Sequence, residues 1–333
     1  MERLQRTKRS HPCPICGEGN QKCAYNSTVA ICVNISSERE CNGDKAFIQA
    51  WIHPIDGSIV VPKREQYPEH RCQNREALDK VYRAFLKMLI LEPRHITMFR
   101  ELGVPLKMVI DGQYKTVPTF KTRWLYAKRL RELGFSLEGI PGFFQAEGKH
   151  GRFWTFAAQD GYFIPVTDVD GFIIRLRIRL DHPQIKDNGK VEGKVKWFAS
   201  PDRYNGTPSG VVCHVARGDD TLVWITEGEK KADVIRYLTG QTCISVPGVG
   251  TYRLAIPILR KLMPMGVKLA YDMDKRVNPD VLGFERQLEQ AVLEEFPTIV
   301  MIKAEWDISQ GKGADDFLIW KHRNGLLNLK KSS

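Results

Sequence analysis

Three carboxylates fall where apolar, β-branched runs end: Glu227 after residues 222–226, and Asp272 and Asp274 after residues 267–271. Acidic side chains at the carboxyl ends of neighbouring parallel strands converge in the crevice outside the sheet, however far apart they lie in sequence. Such a cluster suits magnesium, which takes oxygen ligands in near-octahedral geometry and is usually shared between one or two carboxylates and substrate phosphates. The chemistry indicated is metal-dependent work on phosphates. Gly228 directly follows Glu227 and permits a tight strand-to-helix turn. The Asp272-Met-Asp274 spacing puts both side chains on one face of an extended chain. An isolated Asp-x-Asp equally suits a helix N-terminus, where aspartate caps and meets the helix dipole. The Glu-Gly turn upstream tips the balance toward a shared metal.

A second set of ligands lies near the N-terminus. Of eight cysteines, five fall within residues 13–41. Cys13-Pro-Ile-Cys16-Gly is a knuckle whose two thiolates can grip one zinc ion, and Cys23 and Cys32 complete a tetrahedral set. Cys41 could stand in for Cys23 or Cys32, and His11 is a further competitor. The first ten residues are basic with no apolar segment behind them, so no secretory signal is expected and the chain reads as cytoplasmic. In that compartment clustered cysteines indicate metal rather than disulfides. A segment with few large apolar residues also needs such a staple to fold. Cys72, Cys213 and Cys243 are expected simply to pack as small hydrophobes. Arg3, Arg6, Lys8, Arg9 and Lys22 surround the cysteines and offer a phosphate-contacting surface.

The elements that must position these groups follow from periodicity. Residues 222–226, 242–246, 267–271 and 298–303 read as strands, alternating with helices over 229–239, 251–263 and 279–296. That rhythm predicts a parallel sheet flanked by helices. Upstream, residues 75–91 carry Leu78, Val81, Tyr82, Phe85, Met88 and Leu89 at helical spacing. Shorter helical patterns cover 94–102 and the basic stretch 122–133. Residues 161–166 and 171–180 read as two strands joined by a turn at Asp168-Val-Asp-Gly171.

The whole chain, 333 residues long, carries a formal charge of +11, a balance that favours polyanionic partners. Between Arg175 and Arg203, eight basic residues face four acids, with Trp197, Phe198 and Tyr204 interleaved. Aromatic faces among cations suit single-stranded DNA. At least one of those rings is expected to pack the core instead. No run is long and apolar enough for a membrane span, and no Walker-type loop ending in Gly-Lys-Ser/Thr is present, so the chain carries no helicase motif of that kind.

Strand, Glu227-Gly228, helix, then strand and Asp272-x-Asp274 resembles the TOPRIM domain shared by topoisomerases, DnaG-type primases and some nucleases. Residues 161–179, closing on Arg179, look like the strand–turn–strand of the DnaG-type catalytic core. Lys196-Trp-Phe-Ala-Ser-Pro is similar to that core's Lys-Tyr-Leu-Asn-Ser-Pro segment, with Ala199 where the family has asparagine. With the cysteine module in front, the order is that of a primase, closest to the stand-alone TOPRIM proteins of phages, plasmids and integrative elements. The fold class implied is α/β, α+β overall: a zinc-binding module in residues 1–65, linker helices and a mixed α+β basic subdomain over 75–217, and a TOPRIM parallel-sheet domain over 218–325.

The resemblance implies Glu227 at the catalytic metal site and Asp272 and Asp274 as Mg²⁺ or Mn²⁺ ligands. Asp315, in a stretch similar to the family's Lys-Asp-Pro-Asp-Glu, becomes a further ligand. Arg179, Lys196, Lys230, Lys231 and Lys312 are candidates for nucleotide or DNA phosphates. Two departures bear on a second metal: the family's acid four positions after the glutamate is Lys231, and the first aspartate of the later stretch is Gly313. A second metal would then be bound weakly, or held instead by Asp307 or Asp316. The implied activity is DNA-dependent synthesis of short RNA primers from nucleoside triphosphates on a single-stranded DNA template, in replication of a mobile element, with a separate replicative helicase as a candidate partner. The alternatives are a TOPRIM nuclease or DNA-processing enzyme, and a non-catalytic DNA-binding replication factor with a degenerate site.

Overall fold

The structure is a computed structural model that describes residues 4–8, 11–17, 19, 23–32, 51–55, 71–185, 191–201, 203–273 and 279–327. It divides into two compact units, Met1–Gln66 and Tyr67–Ser333. Asp274, Cys41, Arg3, Arg9 and Lys22, named above, lie outside the described residues, as do Lys186 and Lys190 of the basic stretch between Arg175 and Arg203. No helix among the described residues is long and apolar enough to cross a membrane.

The first unit is an antiparallel sheet of short strands, β1 (Gln5–Arg6), β2 (Ala24–Tyr25), β3 (Val29–Cys32) and β4 (Trp51–Pro54), paired in that order. Among its described residues, one buried cluster consists of Cys13, Cys23 and Cys32 with Ile15 and Cys16 packed against them. A cluster of thiols gives little hydrophobic stabilisation, in keeping with a segment that depends on a staple.

The second unit begins with α1 (Arg75–Lys87), capped by the Asn74 side chain accepting from the Ala77 N–H at 2.9 Å. Its buried face is Leu78, Val81, Tyr82, Phe85 and Leu86: the first four are the stripe the spacing predicts, Leu86 joins them, and the helix ends at Lys87, short of the expected Met88 and Leu89. Helices α2 (Pro93–Glu101), α3 (Leu106–Asp111) and α4 (Arg123–Glu132) follow. Strand β5 (Lys115–Thr116) joins β8 (Gly161–Thr167), β9 (Ile173–Leu180) and β12 (Val195–Trp197) in an antiparallel sheet ordered β12-β9-β8-β5. Between them run two antiparallel pairs: β6 (Phe143–Gly148) with β7 (Gly151–Phe156), and β10 (Gln184–Ile185) with β11 (Val191–Glu192). Phe85, Phe143, Phe156, Phe163 and Phe198 form one aromatic knot, with Phe85 5.1 Å from Phe156 and 5.3 Å from Phe143, edge to face. Phe198 is thus the ring of the interleaved aromatic set that goes into the core.

The last sheet is ordered β13-β15-β14-β16-β17, from β13 (His214–Ala216), β14 (Asp219–Glu227), β15 (Gln241–Val246), β16 (Gly266–Leu269) and β17 (Val300–Lys303). Strands β14 to β17 pair in parallel as the alternation predicts, while β13 adds an antiparallel edge that the periodicity does not reveal. Helix α5 (Glu229–Thr239) follows β14, α6 (Ile256–Leu262) and α7 (Pro279–Glu295) come later, and α8 (Ala314–Arg323) closes the fold. The helix expected over 251–263 begins as a 3₁₀ segment, Val249–Ala255, because Pro257 sits at the start of the α-helical turns. Val223 and Ile225 pack on one face of β14 and Trp224 on the other, the signature of a strand buried on both sides. The Trp224 side of the sheet shares a core with α2, α3, α5, α8 and residues Tyr162 and Ile164 of β8. That shared core locks the antiparallel sheet against the parallel one and so fixes the cleft between them.

Truncation of Phe198 to Ala is expected to destabilise the second unit by about 3–5 kcal/mol, since the ring is fully enclosed by other aromatics. Ile110→Ala, at a 66 % exposed position, should change stability by less than about 0.5 kcal/mol. Chemical denaturation followed by circular dichroism measures both.

Candidate active site

Glu227 is the final residue of β14, and Gly228 behind it adopts φ 89°, which lets the chain turn at once into α5. The turn leaves the Glu227 carboxylate at the sheet edge and puts Glu229, Lys230 and Lys231 on the first turn of the helix. Asp272 lies three residues beyond β16, yet its position is tightly fixed. The Ala270 N–H donates to the Ile225 carbonyl at 2.8 Å, and the Thr226 hydroxyl donates to the Ala270 carbonyl at 2.9 Å. One residue past Asp272, the Met273 N–H donates to the Lys312 carbonyl at 3.0 Å. This last bond brings the loop that leads into α8 alongside Asp272, and Asp315 in the first turn of α8 follows it in.

The result is a cleft of about 580 Å³, lined among others by Glu227, Asp272, Asp315 and Asp316, by Lys230, Lys231 and Lys312, and by Tyr162, Arg177, Arg179 and Lys194 of the antiparallel sheet. A volume of that order accommodates a nucleotide-sized ligand. Asp272 and Asp315 are buried, at 8 % and 2 % exposure. Lys230 donates to one Asp315 oxygen at 2.7 Å, and Lys231 makes a short ion pair with Asp272 while standing 3.9 Å from Glu227. Burial works against the Lys231 charge, but Asp272, Asp315 and Glu227 outweigh it and hold the ammonium above the ordinary lysine value. Burial and the neighbouring Asp315 push the Asp316 carboxyl up.

The antiparallel sheet contributes its cations by strand alternation. Tyr162 pairs with Arg179 and Ile164 with Arg177 across β8 and β9, and these four side chains share the face that lines the cleft. Val195, opposite Arg179, lines it too, whereas Lys196, opposite Ile178, belongs to the other face and is exposed. Of the basic residues anticipated for phosphate, the cleft therefore gathers Arg179, Lys230, Lys231 and Lys312 but not Lys196. It adds Arg177 and Lys194. Arg177 reaches across to the buried Glu229 at the start of α5, 2.7 Å away, with its guanidinium 4.6 Å over the Trp197 ring. The two-residue period that places Arg179 at the site places Arg177 there as well, so this clamp was readable from the strand pattern.

Whether a divalent cation suits the cluster can be judged from its donors. All are hard carboxylate oxygens, and the second Asp315 oxygen is buried with no hydrogen-bond partner among the described residues. A buried carboxylate oxygen in that condition is costly unless something cationic meets it. The residues therefore fit a magnesium-type ion held by Asp315, Asp272 and Glu227.

In the first unit the ligand atoms of Cys13, Cys16, Cys23 and Cys32 all lie within 4.8 Å of one another. Among the described residues these are the four cysteines the spacing puts first, and the cluster is compatible with structural zinc. Burial pushes the Cys13 thiol up, a penalty that a bound metal reverses by taking the thiolate.

Neither a protein-family model nor a curated protein sequence matches the chain. Solved structures do. The RNA polymerase domain of the Mycobacterium tuberculosis primase DnaG, in complex with double-stranded DNA, superposes with a TM-score of 0.53 at 14% identity, covering 76% of this chain and 80% of that one. The zinc-binding and RNA polymerase domains of the Aquifex aeolicus primase give 0.52 at 11% identity, over 76% of this chain. This chain spans 61% of the length of the Aquifex protein. A second complex of the Mycobacterium domain, with a double-stranded oligomer bearing a 6-nucleotide overhang, gives 0.51 at 14% identity. The chain thus has the mixed α+β fold of DnaG-type primases, as its motifs lead one to expect.

Removing one partner of the Arg177–Glu229 pair strands a buried charge, so Arg177→Met should cost about 3–5 kcal/mol, while Arg177→Met with Glu229→Met should recover most of it. Denaturant titration of the two variants decides the point. Elemental analysis of the purified chain should return one zinc, absent from Cys13→Ser and Cys32→Ser but kept in Cys72→Ser, whose thiol lies outside the cluster.

Proposed function

We propose that this chain is a DNA-dependent primase that joins ribonucleotides on a single-stranded DNA template. The observation that carries the reading is the cleft itself. In a DnaG-type fold, Glu227, Asp272 and Asp315 meet at the carboxyl ends of a parallel sheet, ringed by Arg179, Lys194, Lys230 and Lys312. Asp274, outside the described residues, is the remaining acid of the proposed set. We assign the 218–325 segment as a TOPRIM domain and 75–217 as its basic companion on the motif resemblance together with this convergence.

Primer extension is attack of a nucleotide 3′-hydroxyl on the α-phosphate of the next triphosphate, with pyrophosphate leaving. A divalent ion held by Asp315, Asp272 and Glu227 would lower the pKa of the attacking hydroxyl and neutralise charge on the leaving oxygens. The chain's own cations do the rest. Arg179 and Lys194, on the antiparallel sheet, face the acids across the cleft and are placed to hold the triphosphate or template backbone. Lys230, pinned to Asp315, orients that carboxylate. Placement and electrostatic stabilisation are the main contributions a protein makes to phosphoryl and nucleotidyl transfer. The neighbours bound to DNA support a DNA partner, since those primase domains are described in complex with it. The finer reading, a stand-alone primase serving a mobile element alongside a separate helicase, rests on the motif resemblance alone.

One observation favours a second reading. Lys231 sits on Asp272, which is what a degenerate, non-catalytic DNA-binding site would also show. Gel analysis of products from single-stranded DNA, ribonucleotides and Mg²⁺ or Mn²⁺ separates the two. Wild type should yield template-dependent oligomers, and Glu227→Gln and Asp272→Asn should each lower the yield on the order of 100-fold or more with DNA binding intact. Intact DNA binding with no oligomer under either metal would establish the binding factor instead, and template cleavage lost in both variants would establish a nuclease.

A further inference from the structure

We propose that the Lys231 ammonium is a built-in cation of the acidic cluster, taking the place of a second divalent ion and leaving the cleft to bind one. The inference rests on the metal-dependent reading above. Lys231 is not a surface lysine that has drifted inward. Its side chain is 19 % exposed, it makes a short ion pair with Asp272, and it lies 3.9 Å from Glu227, with Asp315 also acting on its charge. Its ammonium therefore stands between Asp272 and Glu227 inside the acidic cluster.

Gly313 completes the geometry. A Cβ added there would stand 2.5 Å from an Asp315 oxygen, 3.2 Å from the Lys231 Cε and 3.3 Å from an Asp272 oxygen. The space that an acidic side chain at 313 would need is already filled by the lysine and the carboxylates it neutralises. The two departures from the expected motif are thus one structural event: a cation moves in at 231, and the side chain that would crowd it is missing at 313. Among the described residues, one buried Asp315 oxygen has no hydrogen-bond partner and marks where a ligand for the one remaining ion is left. Asp307 and Asp316, the acids considered for a second metal, are otherwise engaged: Asp307 accepts from the Ser309 N–H and Asp316 from the Gly313 N–H.

Counting bound Mn²⁺ by electron paramagnetic resonance on the full, zinc-loaded chain tests this without reference to turnover. Wild type should bind one Mn²⁺ that is lost in Asp272→Asn. Lys231→Asp should bind two such ions, or bind the first at least about tenfold more tightly once the competing positive charge is gone. Two cluster-dependent ions in wild type, none at all, or an unchanged count and affinity in Lys231→Asp would overturn the proposal. The wild-type count stands even if the variant fails to fold. Primer synthesis with two bound ions would sink this inference alone, and a single bound ion without synthesis would sink only the primase reading.

Discussion

Holding several carboxylates close together at the mouth of one cleft is the constraint on which this structure depends. Asp272 and Asp315 are buried beside the more open Glu227 and Asp316, and burying such charges together is costly without cations among them. The fold answers with Lys230 on Asp315 and Lys231 on Asp272, both supplied by the first turn of α5. It then holds α5 in place by a further buried pair, Arg177 to Glu229, which ties the helix to the antiparallel sheet. The cleft exists because these pairs and the core shared by the two sheets leave it no other geometry. Its floor is acid, its walls are basic, and the contrast is what a phosphate–metal complex would find complementary.

The path from sequence to this arrangement was short where one period governs and long where several elements meet. The β14–α5 turn and the parallel strands follow from apolar runs and Gly228, and α5 has the limits the pattern suggests. Arg177 and Lys196 show how a two-residue period decides which side chains reach the cleft: the first shares the face of Arg179, the second lies on the other. The β13 edge strand, three residues long, was beyond such reasoning because its place in the sheet comes from pairing with β15 rather than from its own pattern. Helix α8 does not stand out in the periodicity, although Asp315 within it is legible by motif, since its apolar stripe is short and begins among charges.

The four cysteines illustrate the opposite case. Spacing alone left Cys41 and His11 as competitors, and the clustering of Cys13, Cys16, Cys23 and Cys32 comes from strand pairing that brings Cys32 at the end of β3 beside the knuckle. Likewise, Lys231 and Gly313 read in sequence as two unrelated losses. In space they are neighbours, and each explains the other. Non-local contacts of this kind are what sequence periodicity cannot carry.

The most direct test of the central claim is pyrophosphate release by the 333-residue chain given single-stranded DNA, ribonucleoside triphosphates and Mn²⁺. Nucleotidyl transfer at the carboxylate cluster predicts pyrophosphate in proportion to template and to phosphodiester bonds formed. Bound DNA with no pyrophosphate, or release unchanged when template is left out, would contradict it.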